Sequence, residues 1–295
     1  MSDDATDPSF DLSGMTDDEL SAFVEVAGPE VEKLKRAAAY QAYTPLPFQL
    51  KWLKDEAQIR LILAGNQTGK TTSAAIELLR EATGVDPVAL GGKPLTKYPE
   101  GIFKGKRIMA AAETFDIGLR DTIIPKLKEY VTPEMLDGTP KKNQQGLETV
   151  WRFKSGAELI LFSYQQSAKS FEGSQWDFAW FDEPPPQDIF NAVRRGCMKR
   201  EGRIIVTATP LSQPWMLDDL ILPSQDPAHP DYGNVSYFRI DIHENCREHS
   251  GGYLPHKQIA AYISSLPPRE RAAREQGMFL DLQGLEFEYV VEESH

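Results

Sequence analysis

Between an apolar run, Gln58-Ile-Arg-Leu-Ile-Leu63, and a stretch of helix formers, Thr71 to Arg80, the chain reads Ala64-Gly-Asn-Gln-Thr-Gly-Lys-Thr-Thr72. Gly65, Gly69, Lys70 and Thr71 fill every fixed position of the pattern G-x-x-x-x-G-K-[ST]. A buried strand, a glycine loop and a helix in that order form an anion cradle. The glycines let successive N–H groups turn inward, and the helix start adds the positive end of its dipole. Asn66, Gln67, Thr68 and Thr72 would complete the lining. Lys70 is expected to reach the outer phosphates of a nucleoside triphosphate, and the Thr71 hydroxyl to ligate Mg²⁺.

Composition narrows the class further. The chain has 295 residues with a 41% hydrophobic fraction, enough for one large α/β domain or two smaller ones. No run approaches the ~18 apolar residues of a membrane span, and no signal peptide opens the sequence. Cys197 and Cys246 give no disulfide framework, so a reducing cytoplasm is the default expectation. The net charge of −12 argues against a protein that coats nucleic acid, but allows a motor gripping DNA through a local basic patch. The first twenty residues hold Asp3, Asp4, Asp7, Asp11, Asp17, Asp18 and Glu19 without a basic side chain, and they read as a disordered tail.

Thr16-Asp-Asp-Glu19 has capping-box form ahead of a helix over Leu20–Val26, and a second helix is expected over Glu30–Ala42, stopping before Pro45 and Pro47. From Arg60 onward strands and helices alternate. Strands are expected at Leu61–Ala64, Arg107–Ala112, Thr149–Phe153, Glu158–Ser163, Phe178–Asp182, Arg203–Thr207 and Ser236–Ile240. Helices are expected at Thr71–Ala82, Thr114–Tyr130, Pro186–Lys199, Gln213–Ile221, Pro255–Ser264 and Pro268–Gln276. Residues 84–105, rich in Gly, Pro and Lys, read as a surface loop. The alternation implies an α/β fold with a mainly parallel sheet covered by helices on both faces.

Two further segments carry chemistry. Trp176-Asp-Phe-Ala-Trp-Phe-Asp-Glu183 is an apolar strand ending in adjacent carboxylates, at the strand end where function collects in parallel sheets. Asp182 is the candidate Mg²⁺ partner, and Glu183 the candidate base that orients the attacking water. Pro184-Pro-Pro186 keeps helix from starting at once. The next strand ends in Thr207-Ala-Thr-Pro210, whose hydroxyls at Thr207 and Thr209 are placed to sense a γ-phosphate or to end a strand in an ordinary turn. Upstream, Gln49 offers the donor and acceptor that match the N6 and N7 edge of adenine.

Gln49, the Gly-Asn-Gln-Thr-Gly-Lys-Thr loop, Phe171-x-Gly173, Trp176 to Pro185 and Thr-Ala-Thr-Pro together resemble the large terminase subunit of tailed bacteriophages over roughly residues 40–290. The resemblance implies a P-loop NTPase with an additional catalytic-glutamate strand, then a small C-terminal lid. It implies an acidic N-terminal part over 1–43, an ATPase core over 44–211, a lid over 212–283 and, from 284 to 295, the start of a connection to a nuclease domain. No nuclease activity is expected from this chain. The implied activity is ATP hydrolysis with Mg²⁺, coupled to translocation of double-stranded DNA into a procapsid. The implied partners are the portal protein, the small terminase subunit and further copies of the chain in a ring, with no membrane. The implied place is the host cytoplasm rather than the mature virion.

Two features depart from the family pattern. Gly284-Leu-Glu-Phe-Glu-Tyr-Val290 resembles the lead-in to the nuclease domain, yet the sequence stops at His295. The expected arginine is also missing. Many relatives carry an arginine in the phosphate loop or just before the glycine matching Gly173, where this chain has Asn66, Gln67 and Glu172. The arginine that stabilises transition-state charge is expected from a neighbouring subunit, with Arg194 or Arg195 as donors; Arg120 and Lys169 are further candidates. A helicase-like translocase, or a subunit that binds ATP as a switch without turnover, are the competing readings. His243, Cys246, His249 and His256 cluster in sequence, but without paired Cys-x-x-Cys or a Cys₂His₂ order they read as a polar lid surface. Trp151, Trp176 and Trp180 read as core. Lys104-Gly-Lys-Arg107 and Lys141-Lys142 read as solvated surface.

Overall fold

The computed structural model describes residues 38–91 and 105–280, together with Thr16, Glu25, Gly28 and Val31. The expected acidic tail, nearly all of the two expected N-terminal helices, residues 92–104 of the expected loop and residues 284–295 lie outside them.

Among the described residues the scaffold is one eight-stranded sheet. Its strands are β1 (Ile59–Ala64), β2 (Arg107–Ala112), β3 (Lys141–Lys142), β4 (Glu148–Arg152), β5 (Glu158–Ser163), β6 (Phe178–Asp182), β7 (Arg203–Ala208) and β8 (Val235–Ile240). In space they run β3-β4-β5-β2-β6-β7-β1-β8. The β3–β4 and β4–β5 pairs are antiparallel, and every other pair is parallel. Strands β1 and β6 are buried along their whole length, as continuous apolar runs in a two-faced parallel sheet must be.

Helices cover both faces. On one side α1 (Pro47–Lys54), α2 (Lys70–Thr83) and α3 (Ile124–Tyr130) bring Trp52, Leu78, Leu79 and Leu127 against Ile62, Ala110 and Trp180. On the other, α4 (Gln187–Met198) and the turns over 217–224 bring Phe190, Val193, Leu220 and Ile221 against Leu63, Phe181 and Val206. After β8 come a single helical turn over Arg247–Ser250 and two longer helices, α5 (His256–Ser265) and α6 (Pro268–Gln276).

All seven expected strands form, three with the expected ends and four with ends shifted by a residue or two. Four differences are instructive. Helix α1 lies where the prolines argued for a stop; Pro47 occupies its first turn, where a missing N–H costs nothing. The expected helix over Thr114–Tyr130 is π-helical over Phe115–Ile123 and α-helical only from Ile124, with Pro125 at the join. The helix expected from Gln213 starts after it, because Gln213 adopts a left-handed φ of 62°; helix runs from Trp215 and is π-helical over Leu217–Ile221. Finally, β8 pairs with β1, and Met216, Leu220, Val235 and Tyr237 belong to the main core. The core therefore extends past the expected boundary at 211, and the small separate cluster is Ile242, Cys246 and Ile259 with their neighbours.

Beneath α2 lies a buried charge network that no local sequence pattern announces. Glu77 pairs with Arg60 at 2.7 Å and with Arg80 at 2.5 Å. Arg203 lies 3.5 Å from Glu77 and also pairs with Glu81, which takes Lys106 as well. Arg60 also donates to the Trp52 carbonyl at 2.9 Å, so the network ties α1, β1, α2 and β7 together.

Candidate active site

The loop between β1 and α2 is held in shape by residues that follow it in sequence. Gly65 N–H donates to the Ile240 carbonyl at 3.1 Å, and Asn66 N–H to the Arg274 carbonyl at 3.0 Å. A Cβ on Gly65 would meet the Arg274 and Glu275 carbonyl oxygens at 2.6 Å, so only glycine allows that approach. Gln67 and Gly69 have φ of 61° and 78°, the left-handed turns that curl a backbone around an anion. Asn245 Nδ2 donates to the Gln67 carbonyl at 2.6 Å, and Thr68 Oγ1 donates back to the Gly65 carbonyl at 3.2 Å. Thr72 sits in the first turn of α2 behind them.

Lys70, Thr71, Asp182, Glu183, Thr207 and Thr209 converge beside this loop. Lys70 Nζ donates to Thr209 Oγ1 at 2.9 Å and lies 3.4 Å from Glu183 Oε1. Asp182 Oδ1 accepts the hydroxyls of Thr71 at 3.2 Å and Thr207 at 2.8 Å. Burial, and then the neighbouring Glu183, push the Asp182 carboxyl up to about 6. A buried carboxylate oxygen flanked by a threonine hydroxyl fits a hard, oxygen-liganded cation such as Mg²⁺, whose charge would reverse that shift.

Glu183 is held by its surroundings rather than by preference. Its φ is 66°, a conformation that costs a non-glycine residue about 1–3 kcal/mol. The Thr209 N–H donates to Glu183 Oε2 at 2.8 Å, and Glu183 N–H to the Thr207 carbonyl at 2.7 Å. The Tyr164 hydroxyl donates to the Glu183 carbonyl at 2.7 Å, and burial raises that phenol well above its ordinary range. Tyr164 escaped the sequence reading because an aromatic residue just past a strand carries no chemical signature. Tyr164→Phe is expected to lower turnover about 2- to 10-fold, the worth of one hydrogen bond, with nucleotide affinity unchanged. Paired steady-state and equilibrium-binding measurements check this; an equal loss of affinity would contradict it.

Gln49 is buried on α1 against the loop. Its Oε1 accepts from Tyr43 at 3.0 Å and from Leu46 N–H at 2.9 Å, and its Nε2 faces the Gly69 carbonyl at 3.4 Å. Reading adenine N6 through that oxygen would require one of its two donors to leave.

The expected arginines are not part of this cluster within the chain. Arg194 pairs with Asp231, and Arg195 with Glu172 at 3.2 Å. Both come just before Gly196, whose carbonyl accepts from Trp176 N–H ahead of β6. They therefore lie at the amino ends of the strands, about 16–20 Å of strand length from Glu183. Arg120 pairs with Asp116 on an exposed helix face, and Lys169 is exposed.

Strand β7 stands between the loop strand β1 and the carboxylate strand β6. That inserted strand, the G-x-x-x-x-G-K-T loop and the terminal Asp-Glu define a P-loop NTPase fold with an additional catalytic-glutamate strand. The family of the terminase large subunit, T4-like-virus type, N-terminal part, matches residues 61–242, more than half of the chain, and the chain belongs to it. No curated protein matches. Three solved structures share the architecture. The large terminase ATPase domain of Thermus phage P74-26 is 16% identical, with a TM-score of 0.54 over 82% of this chain and 97% of that one. The large terminase of a thermophilic bacteriophage, solved in complex with ADP, is 15% identical, with a TM-score of 0.52 over 84% of this chain and 53% of that one. The bacteriophage HK97 large terminase is 14% identical, with a TM-score of 0.51 over 84% of this chain and 55% of that one. At such identities the likeness speaks for fold alone. The chain spans about half the length of the latter two proteins.

Proposed function

We propose that this chain hydrolyses ATP with Mg²⁺ as the motor portion of a viral DNA-packaging enzyme, driving double-stranded DNA into a procapsid. The observation that supports this most is the convergence of Lys70, Thr71, Asp182 and Glu183 beside one glycine loop. Lys70, with the loop N–H groups, would bind the β- and γ-phosphates. The bound cation, held by Thr71 and Asp182, would neutralise charge developing on the phosphate oxygens. Glu183 Oε1 would part from Lys70 as phosphate arrives, freeing the carboxylate to take a proton from the attacking water. Thr209 bonds both Lys70 and Glu183, so loss of the γ-phosphate would be felt at once in the segment after β7. The family resemblance adds the portal protein, the small terminase subunit and a ring of like chains as partners, acting in the host cytoplasm.

Neither Arg194 nor Arg195 reaches its own loop, so the charge-stabilising arginine is proposed to come from a neighbouring copy. Arg195 is the better donor, with a side chain 62% exposed against 38% for Arg194. Phosphate release per chain is expected to rise with protein concentration, and Arg195→Ala to lower the assembled rate by about 10³-fold or more. A rate flat with concentration and indifferent to Arg194→Ala and Arg195→Ala would remove the proposal of a donor in trans.

A further inference from the structure

The fold gathers a second set of chemistry-bearing side chains that the nucleotide site does not use. The turn after β8 closes on itself. Arg247 N–H donates to the Leu254 carbonyl at 2.8 Å, and Leu254 N–H to the Asn245 carbonyl at 3.0 Å. Gly251, at φ 68°, reverses the chain, and Gly252 packs so tightly that a Cβ would meet the Asn245 carbonyl carbon at 2.3 Å. This closure lays His256, at the start of α5, beside Cys246 and His249. The three donor atoms lie within 4.8 Å of one another.

Their spacing matches a metal coordination sphere. Cys246 Sγ lies 3.4 Å from His249 Nδ1 and 3.9 Å from His256 Nδ1. With Zn–S of about 2.3 Å and Zn–N of about 2.0–2.1 Å, a tetrahedral angle puts sulfur and nitrogen ~3.6 Å apart. Glu248 Oε2, 3.5 Å from the same sulfur, accepts the His256 N–H at 2.8 Å and so holds the turn around the trio. Cys246 is fully buried while both imidazoles are exposed, so the sulfur is fixed and the rings can swing to close the sphere.

We propose that Cys246, His249 and His256 form a zinc site, with water in the fourth position. One thiolate and two neutral imidazoles make a borderline-soft set that favours zinc over the oxygen-seeking Mg²⁺ and Ca²⁺. The site's place gives it a task. Asn245, immediately before Cys246, donates to the Gln67 carbonyl of the phosphate loop at 2.6 Å. A zinc ion would lock the turn that carries this contact, bracing the loop from outside the main sheet.

The test uses the untagged chain, stripped with a chelator and reloaded with ZnCl₂ or CoCl₂. Elemental analysis after dialysis is expected to give one zinc per chain, and cobalt to show a tetrahedral visible spectrum with a thiolate charge-transfer band. His249→Ala and His256→Ala, both at exposed positions, are each expected to weaken zinc binding at least about 100-fold while far-ultraviolet circular dichroism is unchanged. Cys246→Ser is expected to abolish the charge-transfer band; if that variant does not fold, the two histidine variants decide. His229→Ala, remote from the trio, is expected to bind as the parent does. Absence of stoichiometric zinc from the folded chain, or zinc binding indifferent to His249→Ala and His256→Ala, would overturn the proposal. Metal content is read without any ATPase assay, so this result stands apart from the fate of the nucleotide reading.

Discussion

Glu183→Gln is expected to remove most ATP turnover, by about 10²–10⁴-fold, while nucleotide affinity stays within a few-fold. The amide keeps the shape of the side chain and can still accept from Thr209 N–H, but it cannot take a proton from water. The strained φ of Glu183 and its bonds to Thr209 persist, so the loss would report the carboxylate alone. Asp182→Asn should behave differently. Its oxygen gathers the Thr71 and Thr207 hydroxyls, so the change should weaken Mg²⁺-dependent binding first. If both variants lowered affinity equally, that division of labour between the two carboxylates would be wrong.

The second large effect is on stability. Glu77→Ala is expected to destabilise the fold by about 3–5 kcal/mol, because it leaves Arg60 fully buried without its counter-charge. Chemical denaturation at neutral pH measures this, and a loss below ~1 kcal/mol would contradict it. The same group sets an acid limit. Burial alone would push the Glu77 carboxyl up, but Arg60, Arg80 and Arg203 outweigh it and hold the group at about 2, against an ordinary 4.5. A carboxyl held low in the folded state binds its proton more readily once unfolded. Its contribution is thus complete above about pH 4.5 and disappears as pH falls toward 2. Unfolding free energy should drop steeply across that window in the parent chain and less steeply in Glu77→Gln.

The legible parts of the sequence were those where one local pattern has one physical meaning. Apolar runs such as Ile204-Ile-Val206 marked central strands, and Gly-Asn-Gln-Thr-Gly-Lys-Thr marked both a turn and its chemistry. What escaped depended on distance in sequence. Glu77 and Glu81 sit on α2 like ordinary solvated helix charges, and only the approach of Arg60 and Arg203 from neighbouring strands makes them a buried network. Tyr164 gains its meaning from Glu183, nineteen positions on. The contacts of Asn245 and of the Arg274 carbonyl with the loop needed the return of the chain after β8. Cys246, His249 and His256 follow no zinc-finger spacing, because only the tight turn at Gly251 and Gly252 brings His256 back to the other two. Pro47 starts a helix rather than ending one, since the same ring that ends a helix is tolerated in its first turn.

Central to the proposed activity is Lys70 as the cation that grips a nucleoside triphosphate in the β1–α2 loop. The most direct test is an equilibrium titration of a non-hydrolysable ATP analogue with Mg²⁺ into the parent chain and Lys70→Ala. A charge-assisted contact of about 1.5–3 kcal/mol predicts binding in the parent and about 10- to 100-fold weaker binding in the variant, with the fold intact by circular dichroism. Equal affinity in the two proteins, or no binding by the parent, would contradict that role.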